Sequence, residues 1–217
     1  MATSYVKQII NFPSYNRNSN NVRKMVFTIG PPGHGKTHYA TECYKHDNSA
    51  KIVSADDFFY KTDENGIATY IFDRTKLSEA HSHCINNVKK ALNDFNIKTI
   101  VVCNTNLSYR DMIPYIKMIT VNPASKYATT YNISFVIMKE RTCSDAYRDN
   151  IHGVPDNIIK IKCKMFRKLT SYNPKRKFAN FMNSVVRYQP TKRVCKFFNS
   201  AKGCSFGDKC LFIHSTL

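Results

Sequence analysis

The chain has 217 residues, enough for one ordinary domain with a small appendage and for a core that folds without covalent staples. Its 42% hydrophobic content excludes global disorder, and no apolar run reaches membrane-spanning length. Thirty-three Lys and Arg stand against 15 Asp and Glu, a net charge of +18. The excess is uneven: no acidic residue lies between Asp156 and Asp208, an interval dense in Lys and Arg. So long a one-sided run points to a polyanion partner more than to a merely solvated surface. No basic segment leads into an apolar stretch at the N-terminus, so no secretory signal is read. Cys43, Cys84, Cys103, Cys143 and Cys163 are scattered as small buried residues, a usage that suits a reducing intracellular compartment.

Residues 1–20 are rich in Asn, Ser and Tyr without a period and read as a loosely ordered lead-in. Met25-Val26-Phe27-Thr28-Ile29 reads as a buried parallel strand, followed by Gly30-Pro31-Pro32-Gly33-His34-Gly35-Lys36-Thr37 and a helix over residues 37–44. The octet fits the phosphate-binding pattern G-x-x-x-x-G-K-[ST], and the strand before it and helix after it give the pattern a mechanism. Gly30, Gly33 and Gly35 let the backbone curl so that N–H groups, His34 included, point at one anion, and the helix N-terminus adds its dipole. Lys36 can reach the β- and γ-phosphates of ATP, and the Thr37 hydroxyl can bind Mg²⁺.

A second strand over residues 51–54 ends at Asp56-Asp57, where open α/β sheets place their chemistry, although such pairs also cap helices. Asp63-Glu64-Asn65-Gly66 is a turn signal. Residues 75–95 show helical spacing of apolar and small side chains, residues 98–103 form a third buried strand, residues 110–119 a helix and residues 131–138 a fourth strand. Strands alternating with helices imply an α/β fold, a parallel sheet covered on both faces. Residues 139–155 carry Arg141, Arg148, Asp149 and His152, and read equally well as a lid over a nucleotide or as a surface helix and turn. A helix is expected over residues 156–169. These elements bound a domain over residues 21–170, followed by a basic linker over 171–192, in which residues 178–188 have no certain form, and a terminal module over 193–217.

In that module Cys195, Cys204, Cys210 and His214 follow the spacing C-x8-C-x5-C-x3-H. Three thiolates and an imidazole make a closed tetrahedral Zn²⁺ site with no open position, hence a structural one, and in so small a segment the metal supplies most of the folding energy. The segment resembles the CCCH zinc-finger family, whose members mostly bind single-stranded RNA. Phe206 and Phe212 stand where that family places base-stacking aromatics, among Lys196 and Lys202. The alternative is that the two rings fill the finger's own small core.

Residues 25–168 resemble the P-loop polynucleotide 5′-hydroxyl kinases. The resemblance rests on residues 30–37, Ser54-Ala55-Asp56-Asp57-Phe58-Phe59, Phe72-Asp73 with Ala80-His81, Asn104-Thr105-Asn106, and Asn150-Ile151-His152-Gly153-Val154-Pro155. It implies a P-loop NTPase-type sheet, ATP and Mg²⁺ as cofactors, Asp56 as general base for the 5′-hydroxyl, Lys36 on the phosphates, and Asn106 among the nucleic-acid contacts. Some relatives carry an acid at the strand end, where this chain has Cys103-Asn104. Phe59 stands where bacteriophage relatives have an arginine. Counting back from His152, the family's lid arginine falls on Asp149; Arg148, one residue earlier, is the expected lid residue and Arg141 its substitute. The function implied is phosphorylation of RNA 5′ ends, with the finger holding the strand and an end-sealing ligase as a candidate partner. An RNA-binding protein with an inactive or regulatory nucleotide fold and a small-metabolite kinase are the alternatives.

Overall fold

The computed structural model describes residues 2–13, 22–120 and 131–186, together with Phe198 and Cys204. The strands are β1 (Val6–Phe12), β2 (Arg23–Ile29), β3 (Ala50–Val53), β4 (Tyr60–Thr62), β5 (Ala68–Tyr70), β6 (Thr99–Val102) and β7 (Tyr131–Met138). The helices are α1 (Lys36–Tyr44), α2 (Leu77–Asn93), α3 (Tyr109–Thr120), α4 (Cys143–Arg148), α5 (Asp156–Thr170) and α6 (Pro174–Val186).

One five-stranded sheet has the order β1-β7-β2-β6-β3. The four strands β7, β2, β6 and β3 are mutually parallel, and β1 runs antiparallel along β7. A strand such as β6, buried at every position, is stable only where both faces of a sheet are covered. The side chains divide by parity. Met25, Phe27, Ile29, Ile100, Val102, Phe135 and Ile137 enter a large cluster with α2, α3 and α6. Val26, Val101, Val136 and Met138 enter a smaller one with Tyr39 and Ala40 of α1. The chain leaves β2 through α1 for the far strand β3, then returns through α2 to β6 and through α3 to β7 on the other side of β2. Right-handed crossovers put connections of opposite direction on opposite faces, which is why α1 stands apart from α2 and α3. The fold is thus mixed α/β with a mainly parallel central sheet, as the alternation of elements predicts.

Two segments depart from the sequence reading. Residues 2–12 are not a loose lead-in: Ala2–Tyr5 is a 3₁₀ turn and Val6–Phe12 an edge strand paired with β7, in continuous register from Gln8 opposite Ile137 to Phe12 opposite Ile133 after a shift between Val6 and Gln8. Its alternation is broken by Ile9, which is 47% exposed beside the buried Ile10, so the period is hard to see. The expected linker is largely helix α6. Phe178, Phe181, Met182 and Val185 are buried, at the i, i+3, i+4, i+7 spacing of one face. Phe178 packs on Phe135 and Phe181 stacks on Tyr109. Each such ring contributes on the order of 1.5–3 kcal/mol of burial, enough to outweigh the basic first turn Lys175-Arg176-Lys177.

Arg23, at the opening of β2, is buried. Its guanidinium donates to the carbonyls of Ala91, Leu92 and Asp94 at 2.8–3.0 Å and lies over the Tyr131 ring at 5.1 Å. It satisfies the carbonyl end of α2 from below the sheet, where a cation also complements the helix dipole. Beyond β3, the turn signal becomes the tip of the β4–β5 hairpin: Asp63 accepts the N–H groups of Asn65 and Ile67.

Candidate functional site

Residues 30–37 lie at the carboxyl end of β2, next to the point where the connections change direction, the place where open α/β sheets form crevices. Gly33 and Gly35 have φ of 72° and 73°. A Cβ on Gly33 would come within 1.9 Å of the Ala146 carbonyl oxygen, so α4 rests directly on the loop. Gly35 is the N-cap of α1 and no side chain caps that helix. Its first N–H groups therefore face the loop's interior, an arrangement that can hold an anion.

Lys36 is only 9% exposed, and its Nζ donates to the Pro31 carbonyl at 2.8 Å. Burial lowers its pKa to about 8, against opposing effects from Cys103 and Asp56. His34 is buried as well; its Nδ1 lies 3.2 Å from the Pro32 carbonyl and its ring meets Phe166 edge-on. Burial lowers its pKa to about 4, so it is neutral at physiological pH. Cys103, where some kinases carry an acid, is a buried thiol pushed up to about 12 by desolvation. No carboxylate stands at that position. Thr37 is exposed in the first turn of α1.

The second wall is the Asp56–Phe59 turn after β3. Asn104, at the end of β6, accepts the Ala55 N–H at 2.8 Å and donates to the Tyr115 hydroxyl at 3.1 Å. This ties the turn to the neighbouring strand end. Asp57 accepts the Ser54 N–H at 2.8 Å, so it holds the turn; desolvation raises its pKa, against that hydrogen bond and with the charge of Asp56. Asp56 is the freer of the pair, its side chain 47% exposed. The Tyr70 hydroxyl lies 3.5 Å from one of its oxygens and His152 Nε2 3.8 Å from the other. Phe59 is buried in the core and cannot take the place of a substrate-facing arginine.

The third wall is residues 139–155. Arg141 donates to the Gly33 carbonyl at 2.8 Å and to Asp149. Arg148 is 69% exposed and pairs with Asp145 at 3.2 Å and Asp149 at 3.0 Å. Asp149, through hydrogen bonds from Arg141 and then Arg148, is held below the usual carboxylate range. Thus Arg141, the substitute in the sequence reading, reaches the loop, while Arg148 does not.

One expected contact is corrected. Asn106 is completely buried at φ 49°, and its amide donates to the backbone carbonyls of Thr28 and Val102 at 2.9 and 3.1 Å. It pins β6 to β2 and offers no surface to a nucleic acid. The Tyr60 and Tyr70 rings meet through the hairpin, whose turn signal the sequence carries; His152 reaches Tyr70 and Asp56 only through tertiary packing, with no local signature. Of the finger residues, Cys195, Lys196, Lys202, Phe206, Cys210, Phe212 and His214 lie outside the described residues. Among the described residues no cluster of His, Cys, Asp or Glu could hold a metal, no disulfide forms, and no helix is long and apolar enough to cross a membrane.

Residues 190–216 match the zinc-finger family of C-x8-C-x5-C-x3-H type, so a CCCH finger with a Zn²⁺ site is present as the spacing predicts. Human NEDD4-binding protein 2 is 30% identical over 147 residues, 68% of this chain. The chain spans only 8% of that protein's length. Among solved structures, a chain of a Pnkp1/Rnl/Hen1 complex is 20% identical with a TM-score of 0.42, over 61% of this chain and 42% of that one. A chain of the Pnkp1/Rnl/Hen1 RNA repair complex is 16% identical with a TM-score of 0.39, over 80% of this chain and 47% of that one.

Proposed function

We propose that the chain is an ATP-dependent kinase of polynucleotide 5′-hydroxyl ends, acting on RNA, with a P-loop domain over residues 2–186 and a C-terminal finger that holds single-stranded RNA. The observation that carries this reading is the placement of a buried Lys36 and an exposed Asp56 after the carboxyl ends of β2 and β3, at the same end of one parallel sheet. A cation in a glycine loop and a solvated carboxylate at the same sheet end are the two parts that phosphoryl transfer to a hydroxyl needs.

Lys36, His34 and the N–H groups of residues 33–37 bind and orient the phosphates of ATP. The exposed Thr37 hydroxyl is an oxygen donor of the kind Mg²⁺ takes, and that ion, when bound, would neutralise charge on the transferred group. Asp56 accepts the proton of the 5′-hydroxyl as the hydroxyl oxygen bonds to the γ-phosphorus and the bond from that phosphorus to the β–γ bridging oxygen breaks, releasing ADP. Arg141, anchored on Gly33, is the arginine best placed to meet the developing charge. A ligase that consumes 5′-phosphate ends is the partner this product calls for.

The test is incubation of the purified protein with γ-labelled ATP, Mg²⁺ and 5′-hydroxyl oligonucleotides of RNA, DNA and mixed form. Transfer to RNA ends is expected, with Asp56→Asn lowering kcat by roughly 10²–10⁴-fold and ATP affinity little changed. A second reading, an RNA-binding protein with an inactive or regulatory nucleotide fold, is favoured by the engagement of Arg141 and Arg148 by Asp149. RNA binding without transfer to any acceptor selects it.

A further inference from the structure

The hairpin β4–β5 poses a problem of its own. All but one of its ladder positions are exposed; the exception, Tyr70, packs against the large core cluster and on Phe59, and that core leaves Tyr60 unaccounted for. Yet Tyr60 and Tyr70 stand directly opposite each other, ring centroids 5.2 Å apart. A third ring, His152, arrives from the segment after α4 and lies 4.4 Å from Tyr70 and 6.5 Å from Tyr60. Its position is built by the turn that carries it: Asn150 accepts the His152 N–H at 3.3 Å and donates to the Val154 carbonyl at 2.9 Å, and Gly153 takes φ 64°. His152 Nδ1 is buried without a hydrogen-bond partner. Tyr60 remains 44% exposed, so the group has an open side.

Two of the three rings sit against one carboxylate. Tyr70 and His152 each approach a different oxygen of Asp56. Aromatic faces left open beside a carboxylate on a chain of charge +18 suit a ligand that combines a flat π-system with phosphates. We propose that Tyr60, Tyr70 and His152 form a stacking subsite for the terminal nucleobase of the acceptor strand, which sets that nucleotide's 5′-hydroxyl at Asp56. This rests on the kinase reading and deepens it. Stacking reads the face of a base and not its edge, so the subsite tolerates any base but demands one. It also makes the segment bearing His152 part of acceptor binding, in addition to its contact with the 30–37 loop through Arg141 and Ala146.

The experiment compares two short 5′-hydroxyl RNAs, identical except that one has an abasic terminal residue, and a third with 2-aminopurine at the end. The wild-type chain should favour the based end over the abasic end by about tenfold in kcat/KM, the effect of one stacked base. Tyr60→Ala and His152→Ala should erase that preference by raising KM for the based acceptor, with KM for ATP unchanged, and Tyr60→Phe should restore it. Binding should quench the 2-aminopurine, and Tyr60→Ala should abolish the quenching. An active wild-type protein with equal kcat/KM on both ends overturns the subsite and leaves the kinase reading standing. Quenching that depends on Tyr60, with no transfer to any acceptor, keeps the nucleobase site and overturns the kinase. Neither transfer nor quenching overturns both.

Discussion

The Arg141 guanidinium donates to the Gly33 carbonyl at 2.8 Å and so ties the segment after β7 to the glycine loop after β2. The same side chain is held by Asp149, which also takes Arg148. One carboxylate thus engages both arginines of the segment, at the position where the kinase resemblance expects an arginine.

Asp149→Asn should raise phosphoryl transfer several-fold, because freeing Arg141 and Arg148 lets them turn to the phosphates. Steady-state kinetics with ATP and a 5′-hydroxyl RNA check this. A fall in kcat would instead give Asp149 the task of aiming Arg141, and the double variant with Arg141→Ala would then show no further loss.

Lys36→Ala should cost phosphoryl transfer by about 10²–10³-fold, the cost of removing a positioned cation from charge developing in the transition state. Stability should not fall, since removing a desolvated charge relieves a penalty. In the wild-type protein kcat/KM for ATP should decline above pH 8, as Lys36, with its pKa lowered to about 8, loses its proton. Stability should move the other way. The unfolded chain holds that proton to higher pH, so the folded state gains relative stability as pH rises from about 8 toward the ordinary lysine value. Thermal melts of wild type and Lys36→Ala between pH 7 and 10 should converge.

Arg23→Ala should destabilise the fold by about 2–4 kcal/mol, because it leaves the carbonyls at the end of α2 buried without a donor and removes the stacking on Tyr131. Arg23→Lys should recover only part of this, as an ammonium cannot fork between three carbonyls. Urea unfolding gives the number. A change below about 0.5 kcal/mol would mean that water replaces the guanidinium.

Cys210→Ser should release zinc and unfold the finger while leaving the α/β domain intact, because only the finger depends on metal. Long RNA acceptors should then lose affinity through lost stacking and lost phosphate contacts, and very short ones should be phosphorylated almost as before, since the finger raises local substrate concentration only. Equal loss on both lengths would make the finger part of the active site. No loss on either would give it another ligand.

The four parallel strands, the glycine loop, helices α1, α2, α3 and α5, and the finger were legible in the sequence. Each rests on a local rule: a buried apolar run, a period of 3.6, or a fixed ligand spacing. Helix α6 carried such a signal in Phe178, Phe181, Met182 and Val185, obscured by the basic turn before it. The edge strand β1 carried almost none, because its alternation is broken and its place depends on pairing with β7, more than a hundred residues away.

The site divides in the same way. Lys36 is fixed by its loop, and Asp56 by the strand end it follows. Only tertiary structure decided that Asn106 turns inward to the β2 and β6 carbonyls, that Arg141 and not Arg148 reaches Gly33, and that His152 meets Tyr70 at Asp56. Sequence period sets which face a side chain takes within its own element. It does not set which element packs there, since that depends on the summed burial and hydrogen bonding of residues far apart in the chain.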